Sequence, residues 1–278
     1  MHTADGQAIA AHYTGGRDLG AAVRVAIRAA GHDPDGLDWT VLAPMDQFHT
    51  RGAEATASLA GRAAVVAGDR VLDVGGGVGG PARMLAATRG CHVTVLELTP
   101  AYARVGAQLT AAARLSDRVT FETGDATAMP FADGAFDLVW TQHSTMNVAD
   151  KERLYAEAHR VLRPGGRLAM HEIVAGPAGP LHFPVPWAAD PAISFLRSAA
   201  ATRAVVEAAG FTAAEWEDVS TPSLAWIEAR LAAAGGGPPP PLSIAVIAGP
   251  GFAPALHVLA RNLTEGRAAV IEAVCTRR

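Results

Sequence analysis

Apolar and polar positions along this chain follow two rhythms. Near the N-terminus Leu19, Val23, Ala26, Ile27 and Ala30 recur at i, i+4, i+7, i+8 and i+11, one face of a helix that Gly31 would end. A second helix is predicted from about Glu54 to Ala67, stopped by Gly68. Between them Leu42–Gly52 mixes apolar anchors with hydrogen-bonding groups, too polar for a core strand and too apolar for an idle linker. From about residue 69 short β-rich runs alternate with helical ones. Strands are predicted at Arg70–Val74, His92–Glu97, Val119–Thr123, Phe136–Gln142 and Arg167–Val174. Helices are predicted at Pro81–Thr88, Pro100–Arg114 and Lys151–Leu162, the last closed by Pro164-Gly165-Gly166. Strands separated by helices of this length imply right-handed crossovers and a parallel sheet. The nearly unbroken apolar run Phe136–Trp140 fits burial on both faces. The remainder is less regular: a Pro- and Gly-studded loop at Gly176–Trp187, helices at Ala200–Ala209 and Phe252–Leu263, a stiff loop at Gly235–Pro241 and a final strand at Ala268–Val274.

Composition narrows the class. With 278 residues, 50% of them apolar, the chain is long enough for one large domain with a cap. The pattern divides it into an N-terminal helical cap over 1–67 and a main domain over 68–278. Within the latter, 68–175 is a core and 176–278 a loop and C-terminal part. The net charge is −4 and Lys151 is the only lysine, which argues against a polyanionic partner such as nucleic acid. No apolar run approaches the roughly 20 residues of a membrane span, and Met1-His2-Thr3-Ala4-Asp5 lacks the shape of a signal peptide. Cys91 and Cys275 lie in apolar runs and read as buried thiols. The ten histidines are scattered without zinc-site spacing, so no metal is expected. A soluble cytoplasmic protein is the expectation.

The sharpest chemical signal is Val71-Leu72-Asp73-Val74-Gly75-Gly76-Gly77-Val78-Gly79-Gly80-Pro81, a strand running through a glycine turn into a helix N-terminus. It satisfies two templates. Gly75, Gly77 and Gly80 fit a dinucleotide fingerprint, whereas Asp73, Gly75, Gly77 and Gly79 fit the loop that holds the amino-acid end of S-adenosylmethionine. Glu97, which ends the second strand, suits the ribose of either cofactor. Later features discriminate: Gly124-Asp125-Ala126 after the third strand, Asp133–Val139 leading into the fourth, and Leu162–Leu168 turning from helix to strand. In this order they resemble the class I S-adenosylmethionine-dependent methyltransferases over about residues 65–175. The flanks, among them His12-Tyr13, Leu42–Gly52, Trp140–His143, Met146-Asn147 and Leu181–Ala188, are similar to the bacterial sarcosine/dimethylglycine N-methyltransferase-like branch of small-molecule enzymes.

That resemblance implies an α/β fold: a Rossmann-like, doubly wound, mostly parallel sheet of seven strands, with an N-terminal helical cap and a C-terminal cap insertion. It implies S-adenosyl-L-methionine as cofactor. Asp73, Gly75, Gly77 and Gly79 would form its loop, Glu97 would hold the ribose, Leu98 would pack on adenine, and Asp125 and Ala126 would flank the adenine amine. Gln142 and His143 would face the sulfonium, while Tyr13 and the segment from Gln47 to Arg51 would close over it. Methyl transfer is an in-line displacement at a carbon already activated, so alignment and exclusion of water dominate. A base is needed only when the nucleophile carries a proton to lose. His143 leads as base or orienting group, with His49 second; for both, a purely structural role remains open, and it is favoured for His171 and Glu172. Met146, His182, Phe183 and Trp187 are candidate walls of the acceptor pocket, through stacking or cation–π attraction. The expected activity is methylation of a nitrogen or carbon of a small molecule, an amine or an aromatic, indole-like specialised metabolite. The alternatives are a glycine-betaine-type sarcosine/dimethylglycine N-methyltransferase and a cofactor-binding protein of this fold that moves no methyl. A homodimer is the expected assembly.

Overall fold

The computed structural model describes residues 4–15, 17–235 and 240–278. Successive residues of a strand face opposite sides of a sheet, and here both sides are covered. Val71 and Leu138 pack towards one layer of helices, and their neighbours Leu72 and Val139 towards the other. This is why the strands are apolar without alternation. The five parallel strands are β1 (Arg70–Val74), β2 (His92–Glu97), β3 (Val119–Thr123), β4 (Phe136–Gln142) and β5 (Leu162–Ala175). β6 (Phe211–Asp218) and β7 (Ala268–Arg277) complete the sheet in the order β3-β2-β1-β4-β5-β7-β6. β7 lies antiparallel to both of its neighbours. The first four strands coincide with the predicted ranges. β5 starts earlier than predicted because Leu162, ahead of the Pro-Gly-Gly turn, already pairs with Phe136. β6 went unread because it is an edge strand: Glu215, Glu217 and Asp218 face outwards and only Phe211 is fully buried.

Eleven helices surround the sheet among the described residues. The N-terminal ones are α1 (Ala4–Thr14), α2 (Leu19–Ala29), α3 (Trp39–Asp46) and α4 (Gly52–Arg62). The segment Leu42–Gly52 therefore resolves into the end of α3, a short loop and the start of α4. Pro44 inside α3 had hidden that helix. Asp18 and Asp38 cap α2 and α3 by accepting from the N–H groups of Ala21 and Thr40. Then come α5 (Gly80–Arg89), α6 (Pro100–Ala112), α7 (Lys151–Val161) and α8 (Ala199–Ala208). The C-terminal cap is built from α9 (Ser220–Ala234), α10 (Ile244–Ala248) and α11 (Phe252–Thr264). The loop predicted over Gly235–Pro241 lies largely outside the described residues. α4 and α5 cover one face of the sheet, and α7 and α8 the other.

The cap is tied to the core by a charge pair. Arg83 on α5 donates to Asp46 at the end of α3 (2.7 Å), and neither side chain reaches solvent. Arg83 also donates to the Gly106 carbonyl and the Thr110 hydroxyl on α6. The approach of α3 to α5 depends on Gly80, where a Cβ would lie 2.2 Å from the Asp46 carbonyl oxygen. No helix among the described residues is long and apolar enough to cross a membrane.

Candidate active site

Open parallel sheets bind ligands outside the carboxyl ends of their strands, where strand order reverses. Here that point lies between β1 and β4, and a cavity of about 420 Å³ occupies it. Asp73 at the end of β1, Glu97 at the end of β2, and Gln142 and His143 at the end of β4 line it together with Gly75 and Gly77. Leu98, Asp125 and Ala126 line it too, and Tyr13, Phe48, His49 and Thr50 from the cap close over it. The glycine turn has φ values of +69, +60 and +78° at Gly75, Gly77 and Gly79, a region that L side chains rarely adopt. Glu97 locks the turn from beneath by accepting from Gly77 N–H (3.0 Å) and Thr99 N–H (2.8 Å).

Unpartnered buried atoms mark where a ligand's polar groups belong. Asp73 Oδ2 accepts no hydrogen bond; burial, with the Glu97 charge nearby, pushes the carboxyl up to about 7. An ammonium group beside it would restore the ionised form. Gln142 Oε1 accepts from the Trp140 indole N–H (2.9 Å), which fixes the amide's orientation and leaves its Nε2 an unpartnered donor. A lone acceptor and a lone donor flanking the glycine turn suit the zwitterionic end of S-adenosylmethionine. Asp125, whose Oδ1 is held by the N–H and hydroxyl of Thr127 (both 2.8 Å), and Glu97 suit its nucleoside end.

Three histidines meet at the β4 side of the cavity. His143 has φ +46°, an uncommon conformation for a non-glycine residue, and is held by its N–H to the His171 carbonyl (2.9 Å). Its ring stacks on that of His171 with centroids 5.0 Å apart, and His49 sits edge-on to both. Burial and the neighbouring imidazoles push His49 down to about 3 and His143 well below the ordinary imidazole value, and burial, with Arg51 nearby, pushes His171 downwards against the pull of Glu272. His49 Nε2 lies 2.8 Å from the Gly52 carbonyl, which can only accept, so the proton sits on Nε2.

Away from the glycine turn the cavity wall is apolar. Met146 and Trp187 line it, as expected from the sequence, with Ile9, Phe195, Trp226, Phe252 and Leu259 from segments that sequence reasoning did not single out. Those residues sit at helical or loop spacings that read as ordinary core. Four predicted site residues stand elsewhere. His182 pairs with Glu265 (2.8 Å) and Phe183 packs into the C-terminal cap core, neither lining the cavity. Gln47 is buried behind the wall, its Oε1 accepting from Thr56, and Gly79 faces Phe121. Arg197 and Arg203 pair outside the cavity with Glu152 and Glu207. Lys151 donates to the carbonyls of Thr145 and Val148 (2.8 Å to the latter). Among the described residues, no lysine or arginine lines the cavity.

The fold is that of the class I S-adenosylmethionine-dependent methyltransferases. Residues 72–170 match the methyltransferase domain family. Among curated proteins, methyltransferase GfsG of Streptomyces halstedii is 38% identical over 136 residues, 49% of this chain and 49% of that protein. The glycine/sarcosine/dimethylglycine N-methyltransferase of Actinopolyspora halophila is 34% identical over 48% of this chain and 23% of its own. The chain thus spans about half or less of the length of these relatives. Two solved structures match over nearly the whole length. The [4+2]-cyclase SpnF has a TM-score of 0.67 and 26% identity, covering 94% of this chain and 93% of that one. The geranyl diphosphate C-methyltransferase of Streptomyces coelicolor A3(2) has a TM-score of 0.71 and 20% identity, covering 99% of each.

Proposed function

We propose that this chain is an S-adenosylmethionine-dependent methyltransferase acting on an uncharged, largely apolar small molecule of specialised metabolism. One observation carries the reading: a single cavity joins the glycine turn and Glu97 to an apolar wall that offers no cation among the described residues. A carboxylate or diphosphate buried there would face Asp73, Glu97 and neutral imidazoles, at a desolvation cost of several kcal/mol. That weighs against a small zwitterion such as sarcosine and favours an aromatic or polycyclic acceptor packed on Trp187, Phe195 and Trp226.

When bound, the cofactor supplies an electrophilic methyl on a sulfonium. The protein's own work is to hold the acceptor against the β4 end, to exclude water with α1 and the 185–188 loop, and to take a proton from the nucleophile. His143 and His49 are the neutral bases at hand. The reading is tested by incubating the chain with methyl-labelled S-adenosylmethionine and matched acceptors: neutral phenols, indoles and macrolide alcohols against sarcosine and dimethylglycine. Label on the neutral set is expected; preferential labelling of the amino acids would overturn the acceptor assignment.

A second reading follows from the near full-length similarity to a [4+2]-cyclase. The same apolar cavity would fold a polyunsaturated substrate around a retained cofactor that serves as a structural element. Cyclisation of a tethered diene–dienophile probe without methyl transfer would favour it.

A further inference from the structure

His143 is held by more than the cavity wall. Its Nε2 lies 3.4 Å from the Thr50 hydroxyl, which lies 3.0 Å from His171 Nε2 and 3.2 Å from Ser223 Oγ. On the far side of that ring, His171 Nδ1 lies 3.1 Å from Glu272 Oε1. The guanidinium groups of Arg51 and Arg62 reach the same carboxylate at 3.1 and 3.4 Å, and contact with His171 and these cations holds it ionised. His143, Thr50, His171 and Glu272 come from four parts of the fold: β4's end, the loop before α4, β5 and β7.

Proton counting orders the contacts. An ionised carboxylate only accepts, so His171 carries its proton on Nδ1 and its Nε2 is a bare acceptor. Thr50 has one proton to give. It has two acceptors for that proton besides His143, the bare His171 Nε2 at 3.0 Å and Ser223 Oγ at 3.2 Å, both nearer than His143 Nε2 at 3.4 Å, so the proton does not go to His143. The Thr50 oxygen is then an acceptor towards His143, whose Nε2 must carry the proton. His143 Nδ1 is left with the lone pair, without a hydrogen-bond partner among the described residues, on a ring that lines the cavity.

We propose that Glu272, His171 and Thr50 form a positioning relay that fixes His143 in its Nε2–H tautomer and so presents Nδ1 as the atom that accepts the acceptor's proton. This rests on the methyltransferase reading for its use, not for its existence. In the step itself the acceptor's X–H bond would break, its electron pair staying on X to bond the methyl carbon, while the bond from that carbon to the sulfonium sulfur breaks and leaves its pair on sulfur as a neutral thioether. The proton forms a bond to His143 Nδ1. The resulting imidazolium keeps its Nε2–H on Thr50, and the relay turns the buried Glu272 charge towards it without moving a second proton. His49 stands outside the relay, its tautomer set separately by the Gly52 carbonyl.

The relay is tested by nitrogen-15 NMR of the full chain labelled at histidine, with His143 assigned from the signals missing in His143→Gln. The wild-type His143 should show a protonated Nε2 and a bare Nδ1. Thr50→Val, which keeps the side chain's shape and removes the hydroxyl, should turn it into a mixture of tautomers, and Thr50→Ser should restore it. His49 should stay unchanged in all three as an internal control. An Nδ1–H tautomer in the wild type, or one unaffected by Thr50→Val, would overturn the relay. A thermal-shift titration of the same samples with S-adenosylhomocysteine tests the other reading separately. A wild type that S-adenosylhomocysteine fails to stabilise would sink the cofactor assignment and leave the tautomer result standing.

Discussion

Asp73 shows how one buried side chain couples ligand, proton and fold. Its carboxyl sits near 7 in the ligand-free protein, well above an exposed aspartate, because burial and the Glu97 charge oppose ionisation. The folded value is raised, so the stability it contributes is full below about pH 4 and is lost as pH climbs through about 7. Ligand binding runs the opposite way, since an ammonium is held better by the ionised form. S-adenosylhomocysteine should therefore bind more tightly as pH rises from 5.5 to 7, by up to about tenfold per unit, and level off above. Calorimetry in buffers of different ionisation enthalpy should register one proton released below pH 7, and Asp73→Asn should abolish both effects. Glu97 predicts something simpler: Glu97→Ala unlocks the Gly77 N–H and removes the ribose partner, so affinity in the same assay should fall at least tenfold. An unchanged constant would remove Glu97 from the site.

Among elements, α1 covers the cavity with Gly6, Ile9 and Tyr13. Besides the packing of Ile9 into the C-terminal cap core, it is held by polar contacts: the Tyr13 hydroxyl donates to Asn147 Oδ1 (2.8 Å), the Tyr102 hydroxyl donates to the Tyr13 carbonyl (3.1 Å), and His12 lies 3.3 Å from the Pro186 carbonyl. Asn147 in turn donates to the carbonyls of Trp187 and Ile193. Tyr13→Phe leaves Asn147 Oδ1 without its donor at a cost of about 1–3 kcal/mol. Amide exchange in α1 should speed up roughly tenfold or more while that of β1 and β4 stays unchanged. The α3–α5 contact behaves differently. Arg83→Met strands the Asp46 carboxylate in the interior and should cost about 3–5 kcal/mol in urea unfolding. Adding Asp46→Leu should recover much of that loss, since an apolar pair can replace a buried ion pair.

At the scale of the whole molecule, the parallel half of the sheet and the floor of the site were legible in the sequence, and the roof was not. Arg70–Val74 or Phe136–Gln142 could be read because burial on both faces demands uninterrupted apolar residues, and because a glycine turn after a strand has few other uses. His182 and Phe183 were misjudged for a reason of scale. A Pro-rich loop announces rigidity but not direction, and here Asn262 on α11 accepts the His182 backbone N–H, the His182 ring meets Glu265, and Phe183 packs into the C-terminal cap core. Phe195, Trp226 and Phe252 reach the cavity from segments far apart in the chain, and the Thr50–His171 contact spans 121 positions. No local pattern encodes such meetings. Trp187, which lines the cavity, makes the proposed acceptor wall testable. Trp187→Ala should raise the acceptor's KM about tenfold with kcat little changed, and should lower stability by about 3–5 kcal/mol, because the indole is almost fully buried.

Lys151 is the only lysine in 278 residues, and its ammonium is sealed against the carbonyls of Thr145 and Val148, with burial pushing it down to about 8. The molecule therefore carries its own clock. An amine-directed reagent can mark that position only in the moments when the 144–151 segment swings open. The pace of tagging there, read by peptide mass spectrometry, counts those openings one chain at a time, and a molecule seated against Met146 would slow the count without ever touching the lysine.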